Sequence, residues 1–178
     1  SFTESAKAYG LDATGTYTTS VVFFDMDNDG DLDMLMVNHA DVFFNPFFNT
    51  EKLRATRNAK FGNRLYRNDN GHFTDISVQS HIDGSGLNFS LSASVSDING
   101  DGYDEIICTG TNARGQKAGY RLVLYVPRTR ETYSMRVESA AHDAKRLRAT
   151  FSPNTMKPEA AAYRSALEQR ARLAIAPL

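Results

Sequence analysis

The sequence is poor in cysteine, in grouped histidine, in long apolar runs and in net charge, and each shortage removes a class of protein. A single cysteine, Cys108, excludes an internal disulfide, and its place in an apolar run reads as a buried, inert thiol. No stretch of about 18 apolar residues is present, so no transmembrane helix is expected. The four histidines, His39, His72, His81 and His142, have no motif setting for a nucleophilic triad, and His39 reads as a loop residue at a sheet corner. No Cys or His stands at zinc-ligand spacing, and residues 112 to 119, although basic and glycine-containing, lack the spacing of a phosphate loop. A formal net charge of -1 argues against a nucleic-acid partner. What remains, 41% hydrophobic and 23% charged, is the composition of an ordinary globular chain that can bury a core.

Charge is unevenly placed within that balance. Residues 1 to 100 carry 7 Lys and Arg against 13 Asp and Glu, whereas residues 101 to 178 carry 13 against 8. Much of the acid sits in two nonapeptides, Asp25-Met-Asp27-Asn-Asp29-Gly30-Asp31-Leu-Asp33 and Asp97-Ile-Asn99-Gly-Asp101-Gly102-Tyr103-Asp104-Glu105. Oxygen side chains at positions 1, 3, 5 and 9 can converge on one hard cation, while glycine at position 6 permits the sharp turn and position 7 offers a carbonyl. Five aspartates in nine residues repel one another unless opposite charge holds them. An all-oxygen donor set fits calcium better than zinc, and better than magnesium, which tolerates crowded protein ligands poorly.

The residues around the loops decide which calcium motif this is. An EF-hand needs an acidic residue at position 12 between two helices. Position 12 is Met36 in one loop and Cys108 in the other. The segments on either side are short and apolar without helical period: Val21–Phe24 and Met34–Val37 around the first loop, Leu91–Val95 and Ile106–Thr109 around the second. The unit is therefore strand, calcium loop, strand.

With Phe24 to Asp33, Asp97 to Ile106, and the hairpin sequence Asn63 to Ile76, residues 1 to 135 or so resemble the FG-GAP or VCBS repeats that build the calcium-bearing blades of integrin-alpha-like β-propellers. The resemblance implies a mainly β fold of about two propeller blades, partial or completed by other chains, followed by a helical segment. It implies two Ca2+ sites. One would use the side chains of Asp25, Asp27, Asp29 and Asp33 with the Asp31 carbonyl; the other would use Asp97, Asn99, Asp101 and Glu105 with the Tyr103 carbonyl. Glu105 departs from the usual Asp.

A second self-similarity agrees with a repeat. Phe2-Thr-Glu-Ser5 precedes the first loop as Phe73-Thr-Asp-Ile-Ser77 precedes the second, for a repeat of about 71 residues. Two hairpins are expected, Arg64–Arg67 turning through Asn68–Gly71 into His72–Ile76, and Tyr120–Val126 turning through Pro127–Arg130 into Glu131–Met135. The expected division is a β-repeat region 1–137, its repeats 1–72 and 73–137, an aromatic insertion 40–62, and a helical segment 138–178 starting after Pro158 in its last part. Phe2–Ser5 is expected to be a strand lacking its partner. Because closed propellers carry 4 to 8 blades, the chain is expected to be a piece of a larger protein or a subunit whose open edges other chains cover. Tyr163, Leu167, Ala171 and Ala174 share one helical face suited to docking on the sheet or a partner.

The insertion carries Phe43, Phe44, Phe47 and Phe48 before the basic run Lys52, Arg54, Arg57 and Lys60. It either folds back to bury the rings or offers a contact surface for protein or glycan. The expected function is an extracellular calcium-stabilised module for adhesion, ligand binding or assembly, with no catalytic residues. Two alternatives stay open: a non-catalytic fragment of a propeller lyase or hydrolase, and a subunit of a surface filament. The outside location follows from calcium, since extracellular modules bind it at about 10⁻⁴ to 10⁻³ M.

Overall fold

The computed structural model describes residues 2–41, 50–82, 84–85, 89–111, 119–140 and 143–175. Two antiparallel sheets run in simple sequence order. The first contains β1 (Thr18–Phe24), β2 (Asp33–Asn38), β3 (Arg64–Asp69) and β4 (His72–Asp75), with a short helix α1 (Thr50–Ala55) between β2 and β3. The second contains β5 (Ser90–Ser96), β6 (Glu105–Thr111), β7 (Gly119–Val126), β8 (Glu131–Ala140) and β9 (Asp143–Phe151). Helix α2 (Ala161–Ile175) follows two 3-10 turns at Pro153–Met156 and Pro158–Ala160.

These elements form where local chemistry asks for them. Every residue of β2 is buried, as expected of an apolar run covered on both faces. The β3–β4 hairpin closes on Asn70 and Gly71 at φ 54 and 86, the two positive values a tight primed turn requires. The β7–β8 hairpin forms as the sequence suggests.

The sheets are copies of one design. Asp25 and Asp97, which open the two loops, stand 72 residues apart (97 minus 25). The pairing of β1 with β2 is irregular between Thr18 and Ser20, and that of β5 with β6 is irregular between Ser90 and Ser92, at the same offset. The sheets pack face to face. Phe24, Leu35, Val37 and Leu65 of the first meet Ile106, Cys108 and Tyr125 of the second, which buries the thiol as expected.

Each remaining face has its own cover. Leu167, Ala171 and Ala160 seal the far side of the second sheet, against Ile107, Leu122, Leu124, Tyr133, Met135 and Val137. This is the docking expected of the α2 stripe, although the side chain of Ala174 lies outside the described residues. On the far side of the first sheet, Leu11 and Ala13 pack on Met34, Met36 and Tyr66. That cover is partial: Val21 and Phe23 on β1 stay 43% and 52% exposed.

Two expectations need correction. Residues 138–149 are not helical: β8 runs to Ala140 and β9 pairs along it, with Val137 opposite Ala149 and Met135 opposite Phe151. A hydrogen-bonded ladder gives this stretch tertiary partners, which outweighs an Ala-, Arg- and Leu-rich composition that favours helix only weakly. The edge near Met135 is therefore paired, not open. Phe2–Ser5 forms no strand either. Glu4 caps the Ala6 N–H at 2.7 Å, a turn closes from Leu11 N–H to the Ala6 carbonyl at 2.8 Å, and the Tyr9 carbonyl accepts the Phe73 N–H of β4 at 2.9 Å. Within the insertion 40–62, α1 and the following turn are described. Phe43, Phe44, Phe47 and Phe48 lie outside the described residues, as do His142 and residues 112–118.

Candidate metal centres

Both acidic loops join an inner pair of strands, β1 to β2 and β5 to β6, and they adopt one conformation. In the first, Asp25 accepts the N–H groups of Asp29 at 3.2 Å and Gly30 at 3.0 Å. Its counterpart Asp97 accepts those of Asp101 at 3.2 Å and Gly102 at 2.9 Å. Asp29 takes the Asp31 N–H at 2.9 Å, and Asp101 takes the Tyr103 N–H at 3.0 Å. Asp33 takes the Met26 N–H at 2.7 Å, and Glu105 takes the Ile98 N–H at 2.8 Å. Gly30 and Gly102 hold φ 93 and 85, values a side chain at position 6 would strain. The loops lie side by side, with Asn28 Nδ2 donating to the Gly102 carbonyl at 2.8 Å.

In the first loop Asp25, Asp27 and Asp29 each bring a carboxylate oxygen within 4.8 Å of the others. Ligands about 2.3–2.6 Å from one calcium ion are at most about 5 Å apart, so this spacing suits a shared ion. Asp33 is fully buried at the end of the loop, held by the Met26 N–H and, at 2.8 Å, by the Asn68 N–H of β3. The Asp31 side chain turns to the hairpin and accepts the Asn70 N–H at 2.7 Å. A carboxylate committed in that direction leaves the backbone as this residue's route to the ion.

In the second loop Asn99 replaces an aspartate at position 3. Its Oδ1 accepts the Asp101 N–H at 2.8 Å, and its Nδ2 lies 3.1 Å from Glu105 Oε1 and 2.9 Å from the Tyr163 hydroxyl. Glu105 is 1% exposed. Tyr103 lies under the Arg128 guanidinium at 4.8 Å, and Arg128 also pairs with Asp101 at 3.2 Å. Among the described residues, only the first loop gathers three carboxylates closely.

Electrostatics separate the acids by position. Burial first, then the like charges of Asp29 and Asp25, push the Asp27 carboxyl above the usual range. Burial also raises Asp33 and Glu105, in part against the backbone N–H groups that favour their ionised forms. Asp97 moves the other way, lowered chiefly by the Gly102 N–H. Asp27 and the two position-9 acids thus hold negative charge at a cost that a bound cation would remove.

Other candidates fall into structural roles. His39 is half-buried, with Nδ1 3.2 Å from the Ser90 carbonyl and its ring edge-on to Phe89 at 5.3 Å. Arg57 donates to the carbonyls of Ile82 and Asn63 and ties the turn after α1 to the segment that enters β3 and to the loop beyond β4. Sequence reasoning did not find Tyr163 beside the second loop; 64 residues separate it from Asn99, and no local pattern links them.

No curated protein and no solved structure matches the chain. Residues 39–108 match a family model described as FG-GAP-like repeat, a stretch that runs from the end of the first inner strand pair through the β3–β4 hairpin and the whole second loop. Over residues 39–108 the chain is similar to an FG-GAP-like repeat, and its two antiparallel sheets fit blades of the propeller type.

Proposed function

We propose that the chain is a calcium-stabilised β-repeat module that works outside the cell by contact with other protein surfaces, and that its loops do no catalysis. The observation that carries this reading is the hydrogen bonding the two loops share, together with the three carboxylates that Asp25, Asp27 and Asp29 gather in the first. Calcium would supply positive charge that neutralises the loop carboxylates. The chain's own part is to hold those carboxylates in register through backbone N–H groups at the junction of each inner strand pair. An extracellular setting, where calcium is always abundant, suits loops that depend on it.

The contact surface is proposed on the far side of the first sheet. Val21 and Phe23 correspond, 72 residues on, to Ala93 and Val95, which are partly buried where the first sheet covers the second. A face that in one copy packs against a blade and in the other stands half open suits a further blade, from this polypeptide or another chain.

Calorimetric titration of the full chain with calcium chloride tests the metal reading. Two bound ions per chain are expected, and one of them should be lost in Asp25→Ala and the other in Asp97→Ala. An absence of binding at millimolar calcium would refute it.

A further inference from the structure

The two loops share their internal hydrogen bonds but not their outside support. Asp33 receives its second hydrogen bond from the Asn68 N–H of β3. Strand registers identify the matching position in the second sheet: Met34 pairs with Tyr66, and its equivalent Ile106 pairs with Tyr125, so Asn68 corresponds to Pro127. Proline has no N–H to give. Glu105, the counterpart of Asp33, instead has Oε1 facing Asn99 Nδ2 at 3.1 Å, and the same nitrogen donates to the Tyr163 hydroxyl at 2.9 Å. Tyr163 belongs to α2 and is fixed there by stacking on Tyr133, ring centroids 4.6 Å apart.

From this the geometry points to Tyr163 as a positioning residue for the second metal site. Helix α2, through the Tyr163 hydroxyl, orients the Asn99 amide so that Oδ1 faces the loop interior, and takes over the support that Pro127 cannot give. The inference rests on the calcium reading above. An amide can rotate to exchange its oxygen and nitrogen; Glu105 Oε1, which only accepts, keeps Nδ2 on its side, the Tyr163 hydroxyl holds the same nitrogen as a second acceptor, and Oδ1 is left for a cation. Groups around a ligand commonly set metal affinity by about 10–100-fold. Because coupling is reciprocal, calcium in the second loop also tightens the seat of α2, whereas calcium in the first loop does not.

The experiment is calcium titration of wild type and Tyr163→Phe, which keeps the ring stack and deletes the hydroxyl, with amide exchange of Ala161–Ile175 followed with and without calcium. Tyr163→Phe should weaken one of two sites by about tenfold or more and leave the other unchanged. Calcium should slow exchange of α2 in wild type and in Asp25→Ala, but not in Asp97→Ala. Equal weakening of both sites, or no weakening, overturns the inference, as does calcium protection of α2 that survives Asp97→Ala. A wild type that takes up no calcium fails at the earlier step and overturns the metal reading itself. Should Tyr163→Phe loosen α2 even without calcium, the two aspartate variants still decide, because neither touches the helix.

Discussion

Replacing Leu167 with alanine is expected to lower stability by about 2–5 kcal/mol, a large share of the roughly 5–15 kcal/mol that holds a domain together. Leu167 is fully buried and sits at the centre of the seal between α2 and the second sheet, touching the cluster of Leu122, Leu124, Tyr133, Met135 and Val137. The helix is 15 residues long, near the limit below which an isolated helix is marginal in water, so its order depends on this docking. Truncation leaves a void at a site where the sheet is too rigid to collapse and where the helix can leave instead. Denaturant unfolding followed by circular dichroism measures the loss. Glu168→Ala, one residue away and exposed, should shift stability by no more than about 0.5 kcal/mol. Equal midpoints for the two variants would show that α2 does not seal the sheet.

Asp33→Ala should destabilise the chain whether or not calcium is present, and more when it is. The carboxylate takes the N–H groups of Met26 and Asn68 and thereby pins the first loop to β3. Deleting it leaves two partly buried donors without a partner, at about 1–3 kcal/mol each, offset in part by the burial that already raises its pKa. Calcium adds a further loss, because a ligand is gone. Asp27→Ala should behave differently: without calcium it removes an exposed charge that Asp29 and Asp25 repel, so stability should hold or rise, and with calcium it should fall. Thermal melts of both variants in calcium and in chelator check the contrast. Identical behaviour of the two positions would remove the distinction between a structural anchor and a metal ligand.

Much of this arrangement was legible in the residues. Asp and Gly at fixed spacing specify the loop conformation locally, and the apolar runs beside them could only be short buried strands, so β1, β2, β5 and β6 and both hairpins could be read directly. The rest depended on partners distant in sequence. Strand β9 is built from residues that favour helix in isolation, and its pairing follows from β8 being long enough to template it. The N-terminal stretch resembles Phe73–Ser77 in sequence but finds a turn and one hydrogen bond to β4 in place of a strand partner. The unequal support of the two loops was hidden for the same reason: Pro127 acquires meaning only once the register places it opposite Asn68, and Tyr163 only once α2 has docked.

The most direct measurement of the central claim is the thermal midpoint of the full chain in calcium and in excess EDTA. At about ten times the dissociation constant each ion adds roughly 1.4 kcal/mol, so two ions contribute about 3 kcal/mol. For a chain of this size that corresponds to a midpoint roughly 6–11 °C higher in calcium. A shift of that size, halved in Asp97→Ala, is the predicted result; the same midpoint in calcium and in EDTA would contradict the account.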